Sequence, residues 1–548
     1  MSIALVSLGL IILGRVVFNS FVGDDFGYIN HPYIIDQNFT GLFIGSSADL
    51  GGSSPVTGHF YRPLMLLQFS LIDFFFGPNP FFYHLASLLL HLGNAVFVFY
   101  LFKRHLNKRL AIILSFLFLL HPITVETYAY TSNTQDLLFV FFGMISFLIT
   151  TKEKLSNGKF FISLAFLFLS LLSKETGVVF LIINAFYLYI VHKTRNVYKY
   201  LSFVAVFLIY LLVRVGIAQV TISDSALSEI GNMTFVQRIT LVPSILSYYL
   251  STTIYPKDLA IGQVWTTQEA GLLKLLFPLV TLVLIIIAAL KLKTKKLKLS
   301  FIFFLVWFVI GMIPHLQIVP LEMTVADRWF YFPLIGLLGM VGATISNFET
   351  KRKIYYTSLG FLVVTTLIIS VRTFVRLGDF RSAIALYAHD TKVTKSYLLE
   401  HSLGFELMER KRMGEAFTHL NNSVNLYKTP FNTNSMGVYF YKMHNYKKAK
   451  LWFGKSISLG GYYLAFSNLS NLHIEKNDFH EAAAVLRIAT KKFPESSTFY
   501  HKLSIAEYKV GNNEAAIDAA GHAYSLSPTK DHEYVFHTLI EGKDLNIK

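Results

Sequence analysis

Two adjacent carboxylates, Asp24 and Asp25, follow the first apolar segment, which begins at Ile3 and ends near Phe21. About 20 apolar residues suffice to cross a bilayer, so we predict a membrane helix there, followed by two acids at its surface. A carboxylate in that position can take a proton from a hydroxyl group. Two neighbouring carboxylates resist joint ionisation, so the second could orient a substrate or tune the pKa of the first. The alternative is a solvated helix end without chemistry.

Three basic residues lie in short polar clusters elsewhere in the apolar half, namely Arg62, Lys174 and Arg328. Arginine binds phosphate through two parallel N–H bonds and lysine through a compact point charge, so these residues are candidate phosphate ligands. Lys174 is followed by Glu175, and the two could instead form a structural ion pair. Arg15 lies inside the first apolar segment, where a charge is costly; it could serve the site, snorkel or pair with a neighbouring helix.

Four further polar residues accompany these clusters, and we predict supporting roles for them: His84, Glu126, Glu175 and Asp327. His84 and His91 stand seven residues apart, but the spacing supplies no convincing third ligand, so we predict packing histidines and no metal site. The sequence contains no glycine-rich phosphate loop followed by Lys-Ser or Lys-Thr, which argues against direct use of ATP. Cysteine is absent, which excludes disulfides and thiol chemistry.

The elements that must position these residues are membrane helices, because 53% of the residues are hydrophobic and the mean hydropathy is +0.49. We predict about eleven spans, and an interfacial or re-entrant segment from Leu241 to Tyr255. Their predicted starts lie near residues 3, 80, 109, 134, 159, 175, 197, 272, 298, 328 and 353. The opening segment has no basic n-region or cleavage site, so we predict a retained span.

Basic residues concentrate in alternate loops, for example Lys291 to Lys298, and the positive-inside rule then places the N-terminus in the cytoplasm. The acidic clusters and the polar C-terminal part fall on the opposite, extracytoplasmic face. Most of the formal net charge of +16 then faces anionic lipid headgroups. Nucleic-acid binding is not expected, since the basic residues are dispersed among short loops.

The polar C-terminal part repeats with a period near 34 residues. Small residues recur at Gly404, Gly437, Ser470 and Ser504, and an alanine follows each of them by twelve residues. Small residues at such positions let two antiparallel helices approach closely, which predicts an α-solenoid of about four repeats. Its concave groove could hold a polypeptide, or the solenoid could be a spacer without a ligand.

We therefore predict an all-α chain in four parts. A transmembrane domain covers residues 1–376, a connector 377–397, repeats 398–531, and a C-terminal cap or tail 532–548.

In their order, the clusters around Asp24, Arg62, His84, His121, Lys174 and Arg328, followed by the repeats, resemble the transmembrane and tetratricopeptide-repeat proteins. These are relatives of the protein O-mannosyltransferases in the GT-C class of membrane glycosyltransferases. The resemblance implies that a carboxylate of the first outer loop, Asp24 or Asp25, acts as base toward an acceptor hydroxyl. It also implies a sugar donor carried on a polyprenyl or dolichyl phosphate. One motif departs from the family, since Asp327-Arg328 stands where Glu-Arg is expected.

The resemblance predicts transfer of a sugar, with mannose first, to Ser or Thr hydroxyls of exported proteins. No cofactor is expected to be required, and a divalent metal stays open as an alternative. The expected partners are the lipid-phosphate donor, membrane lipids and an acceptor polypeptide held by the repeats, and a bacterial inner membrane is favoured over the endoplasmic reticulum. Two alternatives stay open. The acceptor could be a glycan or lipid, or the protein could be a non-catalytic assembly or transport protein that recruits partners through its repeats.

Overall fold

The computed structural model describes residues 1–47, 60–152, 154–220, 230–265 and 272–545. Within these ranges the regular elements are all helical, and strand-like pairing is limited to one bridge between Gln263 and Val325. The predicted all-α class is therefore confirmed. The chain divides into two compact units, of which the first extends to Leu399 and the second begins at Glu400.

The first unit holds eighteen α-helices among the described residues. They are α1 Ser2–Leu13, α2 Asp25–Ile29, α3 Pro32–Ile35, α4 Gly41–Ile44, α5 Pro63–Phe76, α6 Pro80–His105, α7 Lys108–Leu119, α8 Val125–Ala129, α9 Thr134–Thr150, α10 Asn157–Ser173, α11 Val178–Ile190, α12 Val197–Leu211, α13 Phe235–Ile254, α14 Leu272–Lys291, α15 Lys295–Met312, α16 Tyr331–Ser346, α17 Arg352–Asp379 and α18 Ala383–Val393. Short 3-10 turns at Thr131–Asn133, Glu175–Gly177 and Asp327–Phe330 carry or adjoin the polar clusters.

Seven described helices are long and apolar enough to cross a membrane, which confirms a polytopic membrane domain. They are Pro80–His105, Thr131–Thr150, Val197–Ile217, Lys274–Lys291, Lys295–His315, Asp327–Ser346 and Arg352–Asp379. The pair Lys108–Leu119 and Pro122–Ala129 is bent by 50° and would make an eighth. The predicted count of eleven is not confirmed. Its other three members are shorter apolar helices, Ser2–Phe18, Asn157–Ser173 and Glu175–Ile190. Pro63–Phe76 is a further short apolar helix that the sequence analysis did not identify.

The first helix ends earlier than predicted. It gives way at Gly14 to a 3-10 turn through Phe18, and the backbone is extended at Asn19. Arg15 donates to the carbonyl oxygen of Phe374 at 3.3 Å, and its guanidinium lies 4.4 Å from the centroid of that ring. Three roles were open for Arg15: serving the site, snorkelling and pairing with a neighbouring helix. In the structure Arg15 pairs with a neighbouring helix.

The predicted interfacial segment from Leu241 to Tyr255 forms α13, which begins six residues earlier, at Phe235. A capping box between Thr234 and Gln237 fixes that earlier start. Whether α13 crosses the membrane stays a prediction.

The second unit contains helical pairs at the predicted period, which confirms the α-solenoid class. The helices from the end of the first unit onward are α19 Tyr397–Glu409, α20 Met413–Leu426, α21 Pro430–Lys442, α22 Tyr446–Ser458, α23 Tyr463–Glu475, α24 Phe479–Lys492, α25 Ser497–Val510, α26 Asn513–Leu526 and α27 Lys530–Ile540. A Cβ atom built on Gly437 would lie 2.4 Å from the Phe453 ring. One on Gly404 would lie 2.8 Å from Leu420. The small residues are therefore needed for close approach within each pair.

The bounds of the four predicted parts of the chain stay a prediction. Residue 376 falls inside α17, and the predicted connector contains α18.

Candidate active site

Asp25 is fully buried and both of its carboxylate oxygens are occupied. The backbone N–H of Val22 donates to Oδ2 at 3.0 Å, and that of Ser132 donates to Oδ1 at 2.7 Å. Burial raises the pKa of Asp25 to about 7, although these hydrogen bonds act in the opposite direction. Asp25 therefore ties the segment after the first helix to the 3-10 turn before α9, and it presents no free oxygen to a substrate.

Asp24 has the contrasting environment, because its side chain is exposed to solvent. Its backbone N–H donates to the Tyr130 hydroxyl at 2.8 Å, and that hydroxyl also hydrogen-bonds its carboxylate. The surrounding protein raises the pKa of Asp24, while the charge of Arg328 and the Tyr130 hydrogen bond lower it. Since the side chain itself reaches solvent, Asp24 is the member of the pair that an incoming hydroxyl can meet.

Arg328 is paired with Glu126, which stands 202 residues away in sequence. The backbone N–H of Arg328 donates to Glu126 Oε2 at 3.1 Å, and its guanidinium bonds Oε1 of the same carboxylate. Glu126 is 2% exposed, so a buried carboxylate fixes both the main chain and the side chain of Arg328.

Asp327 is separated from this pair by its own partners. The Tyr248 hydroxyl donates to Asp327 Oδ1 at 2.5 Å, and the Gln263 amide donates to the Tyr248 oxygen at 2.7 Å. Asp327 is 1% exposed. Asp327, for which we predicted a supporting role, is therefore a buried hydrogen-bond acceptor next to Arg328 in the chain.

Lys174 and Arg62 each bind a different carboxylate. Lys174 Nζ lies 2.6 Å from Asp136 Oδ1, and both groups are buried. Arg62 Nε lies 3.4 Å from Glu175 Oε2. Arg214 lies 3.4 Å from the other oxygen of Glu175. The suggested pair between Lys174 and Glu175 is therefore wrong: each takes its partner from another helix.

The cation cluster, by which we mean Arg62, Lys174 and Arg328, is close enough for mutual repulsion. Burial lowers the pKa of Lys174, Asp136 raises it, and the charges of Arg62 and Arg328 lower it further. Three like charges within electrostatic range attract an anion that can contact more than one of them. Each arginine has five N–H donors, so its carboxylate partner leaves donors for an oxyanion.

His84 and His91 are held by contacts with neighbouring side chains and main chain. His84 is buried, and its ring lies 6.4 Å from that of Phe21, in the segment that leads to Asp24. His91 bonds the Tyr331 hydroxyl at 2.9 Å and the Leu119 carbonyl oxygen at 3.0 Å. Within the described ranges, no group of three His, Cys, Asp or Glu side chains could hold a metal ion.

Sequence reasoning missed Arg214, Tyr130 and Tyr248. Arg214 had a signal, because it lies inside the apolar helix Val197–Ile217, where an ionisable residue is costly and indicates a function. It occupies the π-helical turn Leu212–Ile217. The two tyrosines had none, since each stands next to or near another tyrosine, Tyr128 or Tyr249, and only tertiary contacts distinguish them.

Most residues of this candidate site lie in a stretch of sequence that matches a known family. Residues 63–216 match the model of the dolichyl-phosphate-mannose-protein mannosyltransferases. This range includes Glu126, Asp136, Lys174, Glu175 and Arg214, and it begins directly after Arg62.

Curated relatives bear related names. Human Protein O-mannosyl-transferase TMTC1 is 30% identical over 182 residues, which are 30% of this chain and 21% of that protein. Protein O-mannosyl-transferase F38B6.6 of Caenorhabditis elegans is 22% identical over 448 residues, covering 76% of this chain and 62% of that protein. The chain thus matches about a fifth of the length of the first of these relatives. Among solved structures, the oligosaccharyltransferase AglB of Archaeoglobus fulgidus is 13% identical with a TM-score of 0.42, over 78% of this chain and 60% of that chain.

The resemblance derived from the motifs is confirmed by these sequence matches. The chain is similar to the proteins named Protein O-mannosyl-transferase and, over residues 63–216, to the dolichyl-phosphate-mannose-protein mannosyltransferases.

Proposed function

We propose that this protein is a membrane glycosyltransferase that transfers a sugar, with mannose as the first candidate, from a polyprenyl-phosphate donor to Ser or Thr hydroxyls of exported proteins. One observation carries the proposal. The exposed carboxylate of Asp24 lies within the electrostatic range of Arg328, while both oxygens of Asp25 are occupied. A base and a phosphate-binding cation beside each other are what such a transfer requires.

The reaction we infer is a single displacement. Asp24 takes the proton of the acceptor hydroxyl as the oxygen forms a bond to the anomeric carbon of the sugar. The bond from that carbon to the phosphate oxygen breaks, and the phosphate leaves with the electron pair. The configuration at the anomeric carbon inverts, and no nucleotide takes part.

The cation cluster would stabilise the departing phosphate. Hydrogen-bond donors already in place at the developing charge lower the barrier more than donors that must reorganise. Arg328 is held by Glu126 through both its main chain and its guanidinium, so its position is set before the donor binds. Arg62 is held through Glu175 and through its backbone N–H, which donates to Ser47 Oγ at 2.7 Å.

The repeats would present the acceptor polypeptide. Solenoids of this kind use their concave face to hold extended partners. We further propose that the reaction takes place on the extracytoplasmic face, as the positive-inside rule indicates, and in a bacterial inner membrane.

The test is a transfer assay with the purified full chain in lipid nanodiscs. The donor is a synthetic mannosyl polyprenyl phosphate, and the acceptor is a Ser/Thr-rich peptide followed by mass spectrometry. We expect the wild type to add one hexose to a hydroxyl and Asp24→Asn to add almost none. If Asp24→Asn transfers as fast as the wild type, the assignment of the base is refuted.

The same proposal has a cellular test. Exported proteins from cells with and without this protein are compared by glycopeptide mass spectrometry. Loss of hexose from Ser and Thr sites supports transfer to protein, and an unchanged protein profile with altered glycolipids points to the lipid or glycan acceptor. No change in either would favour a recruitment role without transfer.

A further inference from the structure

The helix α18, which lies between the last membrane helix and the first repeat helix, contacts the segment that carries Asp24. The backbone N–H of Ser20 donates to the Arg381 carbonyl oxygen at 3.3 Å, and the Asn19 side chain donates to that of Leu377 at 3.5 Å. The chain just before α18 is therefore bonded to the main chain four residues upstream of the proposed base.

Within α18 itself, Tyr387 reaches the residue next to the base. Gly23 has a positive φ of 51°, and a Cβ atom there would lie 2.5 Å from the Tyr387 hydroxyl oxygen. It would also lie 2.4 Å from the Tyr130 hydroxyl oxygen, the group that accepts from the Asp24 N–H. The two tyrosine hydroxyls thus enclose the backbone at Gly23, and only glycine fits between them.

A buried ion pair attaches α18 to α17. Arg376, which is 1% exposed, donates to both oxygens of Asp390 at 2.7 and 3.2 Å. Asp379 and His389 lie at its rim, 3.3 and 3.2 Å from the same arginine nitrogen. A buried bidentate pair has one preferred geometry, so it fixes the angle between the two helices.

The same helix also holds the segment that leads to the cation cluster. The Asp390 carboxylate accepts the backbone N–H of Ile261 at 2.8 Å, and two residues later Gln263 bonds the main chain of Val325. Gln263 also donates to Tyr248, whose hydroxyl donates to Asp327. One helix therefore contacts, on one side, the segment of the proposed base and, on the other, the segment that ends at Arg328.

We propose that α18 is a positioning clamp for the transfer reaction. Arg376, Asp390 and Tyr387 are positioning residues that keep Asp24 and Arg328 at the separation the reaction needs. This rests on the proposed function for its catalytic consequence, but the docking of α18 against the base segment can be measured without any substrate.

The chain contains no cysteine, so a single engineered pair reports on docking. Ser20 and Arg381 are exposed, and the hydrogen bond of 3.3 Å between their main chains brings their Cα atoms close to the range of about 4.4 to 6.8 Å that a disulfide requires. In Ser20→Cys/Arg381→Cys we expect rapid disulfide formation under mild oxidation. Adding Asp390→Asn should slow it by about tenfold or more, because removing one partner of a buried pair leaves the other charge uncompensated.

Asp379→Asn is the matched control. It removes a carboxylate of the same cluster that is only partly buried and lies 3.3 Å from Arg376 and 3.7 Å from His389, so the rate of disulfide formation should change less than with Asp390→Asn. Tyr387→Phe, which removes one hydroxyl, and the double change Arg376→Met/Asp390→Leu, which removes both charges at once, provide variants that fold if Asp390→Asn does not. Disulfide formation that is equally fast in all of them overturns the clamp.

The catalytic half of the proposal is tested by rescue. Asp390→Asn should lower kcat with little change in the KM for the lipid donor, and the disulfide between residues 20 and 381 should restore kcat on oxidation. A disulfide that forms without restoring kcat overturns the positioning role. The proposed function fails separately, when Asp24→Asn retains full transfer, and that result leaves the docking measurement intact.

Discussion

The contrast between Asp24 and Asp25 gives the most discriminating test of the site, because the same substitution has different expected effects at two adjacent residues. Asp24→Asn changes an exposed side chain, so the stability should shift by no more than about 0.5 kcal/mol. Transfer should fall by about 10² to 10⁴, the usual contribution of a general base. Asp25→Asn places an amide NH₂ against a backbone N–H, because both carboxylate oxygens now accept such donors.

The cost of that mismatch follows from the geometry. One buried donor loses its acceptor, which destabilises the fold by about 1 to 3 kcal/mol. The surviving amide oxygen keeps the other bond. Asp25→Asn should therefore lower the Tm. It should reduce transfer only indirectly, by displacing the segment that carries Asp24.

The pH dependence separates the two residues further. Burial raises the pKa of Asp25 from 3.8 to about 7 in the folded protein. The folded state therefore holds this proton more tightly than the unfolded state does, so the stability contribution is greatest below pH 4 and declines as the pH rises toward 7. At about 1.4 kcal/mol per pH unit, this window is worth about 4 kcal/mol as an upper bound. Asp25→Asn should abolish this decline in stability with rising pH, because the amide does not titrate.

The assay is thermal unfolding of the detergent-solubilised protein, followed by intrinsic tryptophan fluorescence between pH 4 and 8, alongside transfer at each pH. The wild type and Asp24→Asn should lose stability across this window, and Asp25→Asn should lose less. If Asp25→Asn abolishes transfer without lowering the Tm while Asp24→Asn transfers normally, the roles we assign to the two carboxylates are reversed and the reasoning is wrong.

Three further predictions concern the phosphate ligands and the backbone. Arg328→Lys keeps the charge but loses the fork geometry, so kcat/KM for the lipid donor should fall about 10- to 100-fold in a steady-state transfer assay. The Tm should fall as well, because the buried Glu126 loses the guanidinium as its partner; an unchanged kcat/KM would remove Arg328 from the phosphate site. Gly23→Ala should abolish transfer, because its Cβ would meet hydroxyl oxygens at 2.4 and 2.5 Å; normal activity would show that the loop can move without harm. Gly437→Ala should destabilise the repeats by about 1 to 3 kcal/mol, whereas Gly454→Ala, which has open space around it, should stabilise α22 by about 0.5 to 1 kcal/mol; calorimetry that ranks the two alike would contradict the packing.

The fold class was accessible from the sequence because it depends on local patterns. Apolar runs of membrane length and a period near 34 residues are visible without any tertiary knowledge, and the close approach at Gly437 is the contact that the period predicts. The number of membrane spans was harder to predict from the sequence. Segments such as Asn157–Ser173 are shorter than a full crossing, and Pro63–Phe76 is short and carries polar residues, so neither could be judged by length alone.

Only part of the candidate site could be predicted from the sequence. Residue type and chain order select Asp24 and the three cations as candidates, but the partner of each cation comes from a distant part of the chain, as with Glu126 and Arg328. The sequence does not show why Asp24 and Asp25 differ, because their difference arises from two backbone N–H groups that the fold directs at Asp25. The donor from Ser132, which stands 107 residues away, leaves no mark in the sequence.

The pairing of every cation with a carboxylate has a consequence for turnover. Three uncompensated positive charges at a membrane surface would be costly, and they would also bind the released polyprenyl phosphate as tightly as the donor. With Glu126, Asp136 and Glu175 in contact, much of the positive charge of the cluster is compensated before the donor arrives, although Glu175 is shared with Arg214. Its remaining N–H donors then respond mainly to the charge that develops as the sugar leaves, and the phosphate product is held more weakly than a bare cluster would hold it. On this reasoning, Glu126→Gln should tighten the binding of the free lipid phosphate while slowing turnover, and measured inhibition by polyprenyl phosphate that is weaker than in the wild type would refute it.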